Sequence, residues 1–159
     1  MFEKVLVANR GECSVRVIRT LKRMGIEAYA VFTTSDKMCR HVDEADYAFE
    51  VSSYTDIKEI VNIAKREDMA VHPGWGFASE DPRYPRACQR AGISFIGPSE
   101  ESMKKSSDKM QARTVARKVG VPVISGTSQQ IKKSRVTDWA VRHGLSDEPN
   151  SIPFMIKAA

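Results

Sequence analysis

Short apolar runs alternate with amphipathic segments along roughly the first hundred residues of the chain. Five of these runs are four to six residues long and are bounded by turn residues, which is typical of strands buried on both faces of a sheet. We predict strands at Lys4–Ala8, Glu27–Phe32, Tyr47–Val51, Met69–His72 and Ile93–Ile96.

The segments between these strands carry apolar residues at helical spacing. Residues 12–24 form the first predicted helix, and Gly25 is a suitable C-terminal stop. Ser53 is placed to cap a second helix, and Gly92 ends a third. The alternation of strands and helices with short connections predicts an α/β fold, a doubly wound parallel sheet with helices on both faces.

The pattern changes from Ser99 onward. Ser99 and the acidic pair after it open a helix, Asp108 can cap another, and Thr137 can cap a short one. The last apolar run, Ile152–Lys157, predicts a strand that has no partner in the chain. Because an isolated strand is not stable, we expect the chain to be a truncated piece of a longer protein.

Composition narrows the class of protein. The 159 residues are 42% hydrophobic, and no run approaches the roughly 20 apolar residues that a membrane span requires. The N-terminus lacks the order of a secretory signal, so we expect a cytoplasmic protein without a membrane partner. Cys13, Cys39 and Cys88 are widely spaced, which predicts reduced, buried thiols rather than a disulfide or zinc framework.

Positive charge is concentrated in one segment. Residues 104–142 carry ten Lys or Arg against two Asp, whereas the whole chain has a net charge of +5. Such a segment suits a polyanion, either a nucleotide triphosphate or a nucleic acid, or it forms a solvated helical face. RNP-like aromatic runs, GXXG loops and zinc spacings are missing from the sequence, so we predict no nucleic-acid partner.

Two polar segments follow predicted strands, where parallel sheets bind ligands. Asn9–Glu12 comes after the first strand but contains only one glycine, Gly11, which is not the pattern of a dinucleotide-binding turn. Asp36 follows the second strand, at a place where a ribose-binding acid can occur. Without the glycines, these residues give little support for a nicotinamide cofactor.

A third segment, His72–Phe77, follows the fourth strand; we call it the cleft loop. Gly74 and Gly76 alternate with aromatic residues, which predicts a tight turn. Its Trp75 and Phe77 side chains either seal the end of the sheet or face a ligand, and the sequence leaves both open. We expect His72 to make a satisfied hydrogen bond rather than to act as an acid or base.

Two lysines complete the candidate residues. Lys109 opens a helix and Lys157 lies on the last predicted strand, and each can reach a phosphate or be an ordinary surface lysine. The spacing yields neither a Ser-His-Asp set, nor a carboxylate pair, nor a metal cluster. We therefore assign no catalytic residue and no metal ligand, and the residues alone leave the ligand unspecified.

Six segments between residues 1 and 159 resemble the signatures of the biotin carboxylase family and occur in the same order as in that family. One such match is weak, but six in the family's order are specific. The segments are VLVANRGECSVRVIRTLKRMGI, HPGWGFASE, FIGPS, SDKMQAR, GVPVISGT and PFMIKAA.

The resemblance implies a ligase that uses ATP and bicarbonate to carboxylate carrier-bound biotin through carboxyphosphate, with Mg²⁺, ATP and biotin as cofactors. It implies that residues 1–107 form a Rossmann-like, pre-ATP-grasp N-terminal domain. Residues 108–159 are then linker helices and the start of an ATP-grasp domain. The implied partners are the rest of the biotin carboxylase and the biotin carboxyl carrier protein.

The resemblance also suggests roles for particular residues. Lys109 and Lys157 match the family's two early ATP-contacting lysines. The cleft loop, with His72, Gly74, Trp75, Gly76 and Phe77, faces the family's shared active-site cleft. Arg16 and Arg19 match positions at the bacterial homodimer contact.

Departures from the family pattern qualify these roles. Ser107 replaces a glycine, Trp75 replaces the usual tyrosine, and Arg23 stands where bacterial acetyl-CoA carboxylase subunits carry an acid that helps the dimer. In the family, the loop that covers ATP, the magnesium carboxylates and the catalytic base follow the position of Ala159. We therefore expect no ATP turnover by this chain alone.

Our hypothesis is the N-terminal part of a biotin carboxylase. One alternative is a stand-alone, non-catalytic module that binds a nucleotide or a partner. Another is a related ATP-grasp ligase similar to carbamoyl-phosphate synthase.

Overall fold

The computed structural model describes residues 2–124, 132 and 135–142. The described strands are β1 (Lys4–Val7), β2 (Glu27–Phe32), β3 (Tyr47–Glu50) and β4 (Ala70–His72). They form one parallel sheet in the order β3-β2-β1-β4. The predicted α/β class is therefore confirmed, and the first four predicted strands agree with the observed ones to within one residue at each end. The predicted strand Ile152–Lys157 lies outside the described residues.

Helices follow the strands, and the chain divides into two compact units, residues 1–104 and 105–159. None of the helices in the described ranges is long and apolar enough to cross a bilayer. Single 3₁₀ turns occur at Thr34–Asp36 and Phe77–Glu80. The helices are α1 (Gly11–Arg23), α2 (Arg40–Glu44), α3 (Ile57–Arg66), α4 (Arg83–Ala91), α5 (Glu100–Ser107), α6 (Lys109–Lys118) and α7 (Val136–Arg142).

The core of the first unit consists of two apolar layers, one on each face of the sheet. Successive residues of β1 point to opposite faces, so Val5 and Val7 pack with Ile18 of α1, whereas Leu6 packs in the other layer with Ile60 of α3. All five side chains are fully buried. Since helices cover both faces, the sheet is doubly wound as predicted.

The predicted fifth strand, Ile93–Ile96, is not a strand of the sheet. Phe95 forms a single parallel bridge with Val71, where the Val71 N–H donates to Ser94 and the Ile96 N–H donates to Val71. The next donor on β4 would come from residue 73, which is a proline and has no N–H. The sequence pattern is apolar enough for a strand, but the partner strand cannot continue the ladder.

Cysteine burial differs in part from the prediction. Cys88 is buried in the core, as expected, whereas Cys13 and Cys39 are only half-buried. All three are free thiols. Burial raises the pKa of the Cys88 thiol to about 12.

Helix caps were predicted with mixed success. Asp108 caps α6 as expected, accepting from the N–H groups of Met110 and Gln111 at 2.8 and 2.9 Å. Helix α7 begins at Val136, so Thr137 is inside the helix and does not precede it. Helix α2 was not predicted, because its five residues are too few to show a period.

The predicted cap of α3 is wrong. Asp56, not Ser53, precedes the helix, and its carboxylate accepts from the Glu59 N–H at 2.9 Å. The Ser53 hydroxyl instead bonds within its own turn, to the Thr55 N–H at 3.1 Å. Both residue types suit a cap, and only the chain path decides between them.

The Asp56→Ala variant is expected to lower the free energy of unfolding by about 1 kcal/mol, because the first turn of α3 loses its side-chain acceptor. Ser53→Ala is the matched control and is expected to have a clearly smaller effect. Urea unfolding of the two variants measures both values. Equal losses would mean that Asp56 is not the cap.

Candidate functional site

The strand order places a switch point between β1 and β4. The chain runs outward from β1 through β2 to β3 and then returns to place β4 on the other side of β1. In open parallel sheets, ligands bind in the crevice that this reversal leaves beyond the carboxyl ends of the strands. Here Asn9 follows β1 and the cleft loop follows β4, so both flank that crevice.

Asn9 fills the crevice from the β1 side. Its side chain is 2% exposed, and its amide donates to the carbonyl oxygens of Pro73 and Trp75, both at 2.9 Å. Its Oδ1 atom accepts from the Arg10 N–H at 2.9 Å. A Cβ atom on Gly74 would lie 2.5 Å from the Asn9 Cβ atom, so the loop packs directly onto this side chain. The switch-point crevice is therefore closed by the protein itself.

His72 makes the satisfied hydrogen bond that the sequence predicts. Its Nδ1 atom accepts from the Gly74 N–H at 3.0 Å, and its carbonyl oxygen accepts from the Ala8 N–H at 2.8 Å. Burial lowers the pKa of the imidazole, so the ring is neutral near pH 7 and keeps the Nδ1 lone pair as an acceptor. His72 thus shapes the start of the loop.

The two aromatic side chains of the cleft loop face outward. Trp75 is 79% exposed and Phe77 is 54% exposed, so neither seals the end of the sheet in this chain. Gly76 and Phe77 both have positive φ, 74° and 51°. For a bulky residue such as Phe77 this backbone is strained, and strain of this kind clusters at functional sites. The ligand-facing role of these two side chains stays a prediction.

An ion pair between the exposed Arg10 and the buried Asp36 supports the loop from the side. Arg10 donates two hydrogen bonds to Asp36 at 2.6 Å each, and the Tyr54 hydroxyl donates to Asp36 at 2.7 Å. The Tyr54 ring packs against Phe77 with a centroid separation of 5.4 Å. Asp36 therefore links the loop after β2 to the cleft loop through Tyr54.

The Asp36 carboxylate is occupied by protein groups. It is 4% exposed, and the hydrogen bonds from Arg10 and then Tyr54 lower its pKa to about 2. Asp36 could bind a ribose according to the sequence analysis, but in the structure its carboxylate oxygens already accept hydrogen bonds from Arg10 and Tyr54. This arrangement agrees with the absence of a dinucleotide pattern after β1.

Arg16 and Arg19 lie on one face of α1, beside a cleft of about 600 Å³ between α1 and α2. Arg19 is paired with Glu44 of α2 by two hydrogen bonds at 2.6 Å, and Arg40 binds the same carboxylate. Arg19 and Arg40 together lower the pKa of Glu44 to about 2, with Arg19 the larger cause. The role of Arg16 and Arg19 in a dimer stays a prediction.

The two remaining candidate residues belong to the second unit. Lys109 is the first residue of α6, in the second unit, and Lys157 lies outside the described residues. Across residues 2–124, 132 and 135–142, no group of three or more His, Cys, Asp or Glu could hold a metal ion. We therefore derive no metal-dependent step from these residues.

The sequence analysis missed the contacts of Asn9, Arg10 and Tyr54. One signal was available: Arg10 and Asp36 follow neighbouring parallel strands, whose carboxyl ends meet at the same edge. Opposite charges at that edge indicate an ion pair. The two N–H groups of the Asn9 amide, in contrast, donate to backbone carbonyl groups. Every residue has such a group, so the sequence does not indicate which ones Asn9 binds.

Fold and site together define a Rossmann-like α/β domain in which Asn9 closes the switch-point crevice and an exposed aromatic loop lies at the carboxyl edge of the sheet. The family model described as "Biotin carboxylase, N-terminal domain" matches residues 1–103. The chain belongs to this family.

Relatives of known name agree with this assignment. The chain is 45% identical to the biotin carboxylase of Halalkalibacterium halodurans over 134 residues, which cover 80% of this chain and 30% of the relative. It is 42% identical to human mitochondrial pyruvate carboxylase over 165 aligned positions, covering 99% of this chain and 14% of the relative. The chain thus spans less than a third of the length of these relatives.

A solved structure has the same fold. The biotin carboxylase domain dimer of Hydrogenobacter thermophilus 2-oxoglutarate carboxylase, in complex with MgADP, ADP and bicarbonate, superposes with a TM-score of 0.84 at 36% identity. The match covers 89% of this chain and 33% of that chain.

Proposed function

We propose that this chain contributes the N-terminal domain of a biotin carboxylase, in which the cleft loop forms one wall of the active-site cleft. The observation that carries the proposal is the loop itself. Trp75 and Phe77 are held outward at the carboxyl edge of the sheet, above a crevice that Asn9 closes. A ligand at this edge meets the outer face of the loop and not the interior of the sheet.

The reaction proposed for the assembled site is the carboxylation of carrier-bound biotin with ATP and bicarbonate. Residues 108–159 are proposed to begin the ATP-binding domain, with Lys109 and Lys157 as phosphate contacts. Arg16 and Arg19 are proposed to meet a second copy of the domain. The biotin carboxyl carrier protein is the proposed macromolecular partner.

The proposal predicts that the 159-residue chain alone has no bicarbonate-dependent ATP hydrolysis. A chimera tests the domain in its proposed context: residues 1–103 replace the matching segment of the Halalkalibacterium halodurans biotin carboxylase. The chimera is expected to hydrolyse ATP in a bicarbonate-dependent reaction and to carboxylate free biotin. A parent enzyme that lacks its own N-terminal segment is the inactive control.

Two results would contradict the proposal. One is a chimera that melts cooperatively but is as inactive as the truncated parent. The other is bicarbonate-dependent ATP hydrolysis by the purified chain alone above the blank, which would mean that this chain carries a complete ATP site.

A further inference from the structure

The side chain of Asn9 joins two strand ends that are far apart in sequence. The carbonyl groups it binds belong to residues 64 and 66 positions later in the chain, Pro73 and Trp75. We propose that Asn9 is a positioning residue, whose amide holds the cleft loop in the conformation that directs Trp75 and Phe77 outward. The catalytic meaning of this role rests on the proposed function.

The chemistry of the contact requires an amide. Two carbonyl oxygens, of Pro73 and Trp75, must each receive a hydrogen bond, and an asparagine Nδ2 group has two N–H donors. Aspartate at position 9 has no donor when ionised, serine has one, and glutamine is longer by a methylene group in a space where Gly74 already meets the Asn9 Cβ atom. Asparagine alone among these side chains satisfies both carbonyl groups without moving the loop.

The shape of the contact gives a second argument. Gly74 has φ 68° and leaves no room for a Cβ atom, because Asn9 occupies that space. The loop therefore rests on the Asn9 side chain as well as binding to it. Loss of the amide removes the hydrogen bonds, and loss of the side chain also removes the support beneath Gly74.

Hydrogen exchange of the wild-type side chain tests the proposal without any substitution. Asn62 lies exposed on α3 and is the internal reference. We expect the Nδ2 protons of Asn9 to exchange at least about tenfold more slowly than those of Asn62 in NMR spectra of the 159-residue chain. Equal exchange rates for the two side chains would overturn the proposal.

Two variants test whether the amide positions the loop. Asn9→Asp replaces both donors by an acceptor, and Asn9→Ala removes the side chain beyond Cβ. In each, we expect exchange of the loop amides, residues 74–77, to rise at least about tenfold more than exchange of the β1 amides. Thr34→Val is the control, since the Thr34 hydroxyl is at the same edge but donates to Glu50 at 2.6 Å. A parallel rise in the loop and in β1 would show a purely structural role and overturn the proposal.

The chimera adds a functional readout. Asn9→Asp in the chimera is expected to lower kcat/KM for free biotin about tenfold while the protein still melts cooperatively. If the unsubstituted chimera is inactive, the proposed function fails, whereas the exchange experiments still decide whether Asn9 positions the loop. If the chimera is active and Asn9→Asp leaves kcat/KM unchanged, Asn9 has no positioning role in catalysis.

Discussion

Gly74→Ala is expected to lower the free energy of unfolding by about 4 kcal/mol, whereas Gly76→Ala lowers it by about 2 kcal/mol. Both glycines lie in the cleft loop and both have positive φ, 68° and 74°. An alanine at either position meets backbone strain, and Gly76, with ψ −168°, lies in a region that is essentially restricted to glycine. The two positions differ in the space around them, which makes them a matched pair.

The difference comes from Asn9. At Gly74, an added Cβ atom lies 2.5 Å from the Cβ and 2.7 Å from the Cγ of Asn9, which is held at the end of β1. At Gly76, nothing lies within 4 Å of the added atom. Overpacking against a fixed neighbour costs a further 1–3 kcal/mol, roughly, beyond the backbone strain. The loop must move away from Asn9, and the two hydrogen bonds to Pro73 and Trp75 lengthen.

Urea unfolding of the wild type and the two variants measures these losses. In the chimera, the same pair separates loop position from stability: we expect Gly74→Ala to abolish most biotin carboxylation and Gly76→Ala to retain more of it. Indistinguishable unfolding curves for the two variants would show that the contact between Gly74 and Asn9 is not tight in solution.

Asp36→Asn is expected to lower the free energy of unfolding by about 2 kcal/mol, because a buried carboxylate loses its charge and the hydrogen bonds that it accepts from Arg10 and Tyr54. The carboxylate is 4% exposed and accepts hydrogen bonds from Arg10 and from the Tyr54 hydroxyl. The neutral amide cannot accept both hydrogen bonds of the guanidinium in the same way. Tyr54 then loses its anchor, and so does the contact between Tyr54 and Phe77.

Glu44→Gln is the control for this prediction. Glu44 receives the same pair of hydrogen bonds from an arginine, Arg19, but on the surface of the helix pair α1 and α2. Exposed ion pairs contribute little to stability, so a much smaller loss is expected. Equal losses at Asp36 and Glu44 would contradict the view that burial makes the Asp36 pair important.

The pH dependence gives a second measure of the same pair. The pKa of Asp36 is lowered from 3.8 to about 2 in the folded chain, first by Arg10 and then by Tyr54. Between these values the unfolded chain binds the additional proton, so the contribution of Asp36 to stability is complete above about pH 4 and is lost as the pH falls towards 2. The difference in stability between wild type and Asp36→Asn should therefore shrink over that range.

The sequence predicted the sheet better than its edges. Apolar runs mark β1 and β2 because both faces of these strands are buried, so that nearly every residue of the strand is apolar. Such a run can be recognised from the strand's own sequence. The run Ile93–Ile96 has the same appearance, but it depends on β4, which ends at His72, just before Pro73. Strand pairing depends on two segments. The hydrophobic pattern of one segment does not show whether the neighbouring strand has the backbone N–H groups that pairing requires.

The sequence predicted the turn at the candidate site but not the contacts that hold it in place. The glycines and aromatic residues of His72–Phe77 indicate a tight turn, and that turn is present. Its support from Asn9 could not be predicted, because an asparagine after a strand suits many turns. Asn9 and the loop are more than 60 positions apart in sequence, and they come into contact only because β1 and β4 are neighbours in the sheet.

The closed crevice at the switch point also bears on the thermodynamics of binding. A loop that is already ordered by Asn9, Gly74 and Tyr54 has lost its conformational freedom when the chain folds and not when a ligand arrives. Ordering a flexible loop on association would oppose binding by about 0.5–1.5 kcal/mol for each side chain that becomes immobilised. Whatever meets Trp75 and Phe77 therefore encounters a surface prepared in advance, and its affinity is set by contact and desolvation instead of by the folding of the loop.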